Sequence, residues 1–233
     1  GYLCISPDKR YLYTVNEIKR KPGEMRTSGE IHAFLVNQED GSLTYLNGIS
    51  SLGVCPNYLC TTEDGKTLVA INYGSEDVLV RTKKEKDGTY RLEHLYEESS
   101  ILTIEILKDG SLGKVCDLHV FDGVPSRFYE WFQSAPHPHS VQIDPEGKMV
   151  LVTDRGCDEL HLFRLNRANR ILEQEKVIKT DRGIGPRVCI FHPEKRVVYI
   201  VGEVLPYVLV YGYDPETLEL VQKQCIATVP ESE

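Results

Sequence analysis

The chain has 233 residues, seven cysteines and a formal net charge of −8, with an isoelectric point near 5.5. That charge argues against a nucleic-acid partner, which calls for a basic footprint, and the lack of an apolar run of about 18 residues argues against a helical membrane span. No C-x-x-C pair and no Asn-x-Ser/Thr sequon occurs, and strand-like residues start at once with no leader in view, so buried free thiols in a reducing, cytoplasmic setting are the expectation.

In chain order, the opening segment GYLCISPDKRYLYTVNE sets a Pro7-Asp8 turn between two apolar runs and reads as a hairpin. CPNYLCTTEDGKTLVAINY, from Cys55, repeats that plan. A charged stretch follows, centred on Asp87-Gly88, before the apolar run 101–107; it reads as an inserted hairpin or a projecting loop. Residues 124–135 hold the one aromatic cluster, with Phe128, Tyr129, Trp131 and Phe132. A covering loop packed on the sheet is the favoured reading, a lip over a site the other.

HPHSVQIDPEGKMVLVTDR, from His137, is the next repeat, followed by strand-like runs at 160–165 and 171–178. GPRVCIFHPEKRVVYIVGE, from Gly185, is the last; its runs fall at 188–192, 197–201, 208–213 and 218–225, with turns at 193–196 and 214–216. Cys4 and Cys60 share one repeat position, Cys189 is one residue off it, and all three are expected in inner strands. Strong helix signals are absent, and Gly, Asp, Asn and Pro punctuate short segments. Four antiparallel strands per block, spaced by 48 residues (193 minus 145), match a propeller blade. The expected fold is therefore all-β, a β-propeller of four-stranded antiparallel blades in one partial domain. The blades fall at about 1–53, 54–134 with an insertion near 75–100, 135–182 and 183–233.

In a propeller the innermost strands line a central channel, so equivalent positions in successive blades form a ring at one height. Asn57, His139 and Arg187 each follow a proline of the aligned repeats and precede the first strand. The second strand returns to the same rim, and its last position is Glu17, Tyr73, Arg155 and Glu203 in turn. Seven polar residues are thus expected at one channel mouth. A solvated rim would explain any one of them; as a set they point to a binding or catalytic site.

The chain resembles the seven-bladed propeller lactonases, the bacterial type of 6-phosphogluconolactonase and the fungal 3-carboxy-cis,cis-muconate lactonizing enzymes. The motifs are Ser6-Pro7-Asp8, Asn72-Tyr73-Gly74, Asp109-Gly110-Ser111-Leu112-Gly113, Pro136-His137-Pro138-His139-Ser140, and Gly185-Pro186-Arg187 with Phe191-His192-Pro193. The resemblance implies catalytic roles for His139, Arg187 and Glu203, with Glu17, Asn57, Tyr73 and Arg155 as substrate-binding candidates. It also implies seven blades, so that the four here are an arc of a larger ring extending beyond both Gly1 and Glu233, and a second functional arginine from a later blade. Val201-Gly202-Glu203 stands where Val-Asn-Glu is common, a form that Val15-Asn16-Glu17 keeps.

These residue types suit a cyclic ester. Lactone hydrolysis needs a base for water and a cation or donor for the oxyanion. His139 can be the base, Glu203 can orient it or take that role, and Arg187 offers a planar fork for carboxylate or phosphate. The same trio could close a ring on a muconate. A non-catalytic scaffold binding a partner or metabolite is the reading from another class. No cofactor is expected, and a metal held by His137, His139 and Glu203 is disfavoured, because an i, i+2 pair in an extended strand points to opposite sides. The expected substrate is a small anionic lactone or carboxylate.

Overall fold

The computed structural model describes residues 1–18, 28–129 and 131–230, and every regular element among them is a strand. The first blade comprises β1 (Tyr2–Ile5), β2 (Tyr11–Val15), β3 (Glu30–Val36) and β4 (Leu43–Ser50), hydrogen-bonded in that order. The second opens with β5 (Pro56–Thr61) and β6 (Thr67–Asn72). A separate two-stranded hairpin, β7 (Val78–Lys84) and β8 (Tyr90–Tyr96), then projects with β7 wholly exposed. The blade is completed by β9 (Ser100–Ile106) and β10 (Leu112–Val120), and β9 pairs directly with β6. The third comprises β11 (Pro138–Ile143), β12 (Val150–Asp154), β13 (Glu159–Asn166) and β14 (Ile171–Lys179). The fourth comprises β15 (Pro186–Phe191), β16 (Val197–Gly202), β17 (Tyr207–Asp214) and β18 (Glu219–Ala227).

All four blades are antiparallel meanders, the arrangement of a β-propeller. Apolar β-branched residues on alternating positions give each sheet two faces to bury. Second strands such as β6 and β12 are buried at every position, because neighbouring blades cover both faces. Three core clusters mark three blade junctions among the described residues. Tyr13, Ile31, Leu59 and Leu68 join the first two blades. Val69, Ile71, Val141 and Val152 join the second and third. Leu151, Leu160, Ile200 and Leu209 join the third and fourth. The inner strands pack in the order β1, β5, β11, β15. Leu3 and Ile5 on the outer side of the first blade, and Ile190, Tyr199 and Val201 on that of the fourth, stay largely uncovered.

The turn between the two inner strands of each blade is pinned by one side chain. Ser6 Oγ donates to Asp8 and accepts from the Tyr11 N–H, and Thr62 repeats this with Asp64 and Thr67. Buried Asp144 accepts from the N–H groups of Glu146, Lys148 and Met149. His192 Nδ1 accepts from the N–H groups of Glu194 and Lys195. These are local side-chain-to-backbone bonds of the turn-forming kind.

Candidate active site at the channel mouth

At the other end of three of these hairpins the pairing breaks in one repeated way. The register slips between Pro56 and Tyr58 in β5, between Pro138 and Ser140 in β11, and between Pro186 and Val188 in β15. The residue left out of the ladder is Asn57, His139 and Arg187. Proline has no N–H to donate, and a bulge re-aims the side chain of its extra residue. These three residues thus lie within the first strand at a bulge, where the sequence places them before it. Their partners lie past the end of the second strand, not on its last position: Tyr73, Arg155 and Glu203 by one residue, Glu17 by two.

The bulges at His139 and Arg187 are each clasped by the preceding blade. Asn57 Nδ2 donates to the carbonyls of Pro138 (3.2 Å) and His139 (3.4 Å). Thr153 Oγ1 donates to the Arg187 carbonyl at 2.8 Å. Asp158 fixes the loops around Arg187: its carboxylate accepts from the Gly183 and Gly185 N–H groups, the Gln133 amide and the Ser126 hydroxyl. Gly185 has φ +57°, and a Cβ there would meet Val204 Cγ2 at 2.6 Å, so this turn is open only to glycine.

Glu17, Asn57, Tyr73, His139, Arg155 and Arg187 line one open cavity of about 290 Å³, joined by Cys55 and Glu76. Glu203 completes the set through its ion pairs. Its Oε1 accepts from Arg187 (2.7 Å) and its Oε2 from Arg155 (3.0 Å). Arg155, only 5% exposed, also donates to Glu76 at 3.0 Å and to the Tyr73 hydroxyl. Its guanidinium lies over the rings of Tyr73 and Phe132. Such stacking and forked bonding suit an arginine held out of water. The seven residues singled out from the sequence are therefore brought together. Sequence reasoning missed Glu76, which lies at the start of the insertion, and Phe132, whose loop it took for a cover. Proximity of Glu76 to Tyr73 was the available signal.

Burial, and then the positive charge of Arg187, hold the His139 pKa below the ordinary histidine value; Glu203 opposes this more weakly. His139 is thus neutral at neutral pH. Its Nδ1 is buried with no hydrogen-bond partner. Asn57 Oδ1 is likewise buried without one, so its amide holds the His139 backbone while its oxygen remains an unused acceptor. His137 does not share in this group. It stacks on Tyr73 with centroids 4.5 Å apart, and its Nδ1 lies 3.2 Å from the Tyr73 carbonyl. A second cavity, about 560 Å³, lies at the opposite rim among Asp8, Arg10, Glu63, Lys66 and Arg170, and has no buried base.

Among the described residues no helix is long and apolar enough to cross a membrane. Residues 1–233 match the family model described as "Lactonase, 7-bladed beta-propeller". The chain is 26% identical over 219 residues to a 6-phosphogluconolactonase of Formosa agariphila, covering 91% of this chain and 54% of that one. It is 23% identical over 232 residues to the 6-phosphogluconolactonase of Bacillus subtilis, covering 99% and 56%. The solved structure of the periplasmic gluconolactonase of Pseudomonas aeruginosa superposes with a TM-score of 0.77 at 25% identity, covering 98% of this chain and 57% of that chain. The chain thus spans about half the length of the curated relatives it matches. With its four-stranded blades and its match over the whole length, it belongs to the lactonase family of seven-bladed β-propellers.

Proposed function

We propose that the protein is a lactone-opening hydrolase, with a sugar-acid lactone as substrate and 6-phosphogluconolactone foremost, since relatives carry that name. The observation that carries this reading is the pairing of a neutral, partly buried His139 with Arg187 in one cavity, while both oxygens of Glu203 are taken by arginines. A carboxylate engaged on both sides is a poor base, so that role falls to His139 and Glu203 acts as a positioning residue.

In this scheme His139 takes a proton from water as the water oxygen bonds to the lactone carbonyl carbon. The carbonyl π pair moves to oxygen, and Arg187 stabilises the oxyanion with charge-assisted hydrogen bonds. Collapse expels the ring oxygen, which receives the proton held by His139, and the product is the open hydroxy acid. Arg155 holds Glu203, and Glu76 with Tyr73 holds Arg155, so the fork of Arg187 is set before substrate arrives.

Around this mouth two arginines, Arg155 and Arg187, face three glutamates, Glu17, Glu76 and Glu203. The four blades thus favour a lactone ring and its developing charge over a phosphate, and phosphate recognition falls to cations contributed by further blades. The seven cysteines are all unpaired, which supports a reducing, cytoplasmic setting.

Initial rates on 6-phosphogluconolactone, gluconolactone and 3-carboxymuconate, measured on the longest available form of the protein, test this reading. Opening of either lactone above the spontaneous rate is expected. Turnover of the muconate alone would replace hydrolysis by lactonization, and turnover of none would leave a binding scaffold.

A further inference from the structure

We propose that Asp154, Cys157, Glu159 and His161 form a structural site for one divalent cation of the zinc type, directly behind the candidate active site. Asp154 ends β12, His161 lies in β13, and the tight loop between these strands carries Cys157 and also Arg155. One oxygen from each carboxylate and the Cys157 Sγ lie within 4.8 Å of one another. His161 Nε2 stands 3.3 Å from Glu159 Oε2 and 3.7 Å from Asp154 Oδ2. Donors held about 2.0–2.3 Å from a tetrahedral zinc are about 3.3–3.8 Å apart, so the group needs only a small contraction.

All four residues are at least 95% buried. Asp154 Oδ2, Glu159 Oε2 and His161 Nε2 are buried and make no hydrogen bond. Leaving such atoms unsatisfied is costly, and here three of them converge on one point. The other oxygen of Asp154 is occupied by the N–H groups of His137, Gly156 and Cys157, which fixes Oδ2 toward the cluster. Gly123 covers the group: a Cβ there would meet Glu159 Oε2 at 2.6 Å and Cys157 Sγ at 2.8 Å. The chain passes close over these donors because that residue has no side chain.

Charge and outer contacts fit the same occupant. Two carboxylates and a thiolate carry three negative charges, matched by two on the cation and one on Lys179, whose Nζ lies 2.5 Å from Glu159 Oε1. A bound cation would hold the Cys157 sulfur as a thiolate. The Gln174 amide is 3.2 Å from His161 Nδ1. With its oxygen turned inward it accepts the Nδ1 proton and leaves the Nε2 lone pair for the metal, the usual support of a histidine ligand. Such a cation would pin the loop that presents Arg155.

The test is metal binding by the chain itself. After chelator treatment and dialysis against zinc, elemental analysis should find close to one zinc per chain. Cobalt in its place should give a tetrahedral spectrum with a thiolate-to-metal band. Cys157→Ser should remove that band and weaken zinc at least about tenfold, the lower end of what loss of mere supporting contacts causes. Cys225→Ser, at an exposed thiol, should change neither. The proposal is overturned by zinc retention at the Cys157→Ser level in the parent, or by a cobalt complex with no thiolate band. Either would leave His161 as a plain side-chain contact of the two carboxylates. The cobalt spectrum of the unmodified chain decides the matter even if the variant fails to fold.

Discussion

The inner hairpins of the four blades have two ends, and these ends obey different rules. At the turn end every blade solves the same problem with whatever acceptor it has: a serine, a threonine, an aspartate or a histidine closes the turn on its own backbone. At the other end three of the four blades share one backbone solution, a slip after a proline, while the side chains differ as asparagine, histidine and arginine. Variation at the turn end is substitution among equivalents. Variation at the bulge end assembles unlike groups into one cavity. The cavity at the turn rim, about 560 Å³, gathers no such set of unlike groups around a buried base.

The comparison is broken most severely by His139→Ala. Loss of a general base lowers turnover by about 10²–10⁴, so the variant should be nearly inert on a lactone while folding normally by circular dichroism. Parent-like kinetics would make the bulge end as structural as the turn end. Next comes Arg187. Lysine keeps the charge and loses the fork, so Arg187→Lys should resemble Arg187→Ala, each slowing turnover by on the order of 10²–10³ as for one oxyanion donor. Recovery of normal rates with lysine would reduce Arg187 to a source of field.

A turn-end substitution sharpens the contrast. Asp144→Ala strands the N–H groups of Glu146, Lys148 and Met149, a loss of about 1–3 kcal/mol. Thermal melting should fall by about 2–4 °C per kcal/mol for a chain of this size, with kcat unchanged in the folded protein. A change in kcat without a change in melting would reverse the assignment of the two ends. The smallest effect is expected at neither end. Arg81 pairs with Glu93 on the projecting hairpin, and Arg81→Ala should leave both rate and melting where they were.

Much of this was legible before any coordinates. Apolar strand-like runs and proline or glycine turns placed the inner strands to within a residue or two, and gapless alignment of the repeats put seven residues on one rim. The bulges were not legible. Pro-x at the head of a strand is compatible with a residue just outside the ladder or one expelled from within it, and only the partner register separates these. Glu76 escaped because it stands beyond the repeat, in a segment whose composition reads as solvated charge. Phe132 escaped because an aromatic cluster in a loop looks the same whether it covers a sheet or backs a guanidinium. The cluster at Asp154, Cys157, Glu159 and His161 has no standard ligand spacing, and it forms because the turn between β12 and β13 brings both strand ends together. The exposed outer faces at Ile5 and Ile190 predict self-association of the chain, measurable by light scattering and weakened by Ile190→Lys.

The pH dependence of kcat/KM tests the central claim most directly. His139 must be neutral to accept a proton, and burial with Arg187 holds its pKa below the ordinary value of about 6.5. The rate should therefore be flat through neutral pH and fall on acidification, with a midpoint below about 6.5. Weakening the nearby positive charge by Arg187→Ala should move that midpoint upward. A midpoint above the ordinary histidine value, or one that stays put when Arg187 is removed, would contradict a neutral His139 acting beside Arg187 at the bulge end of these blades.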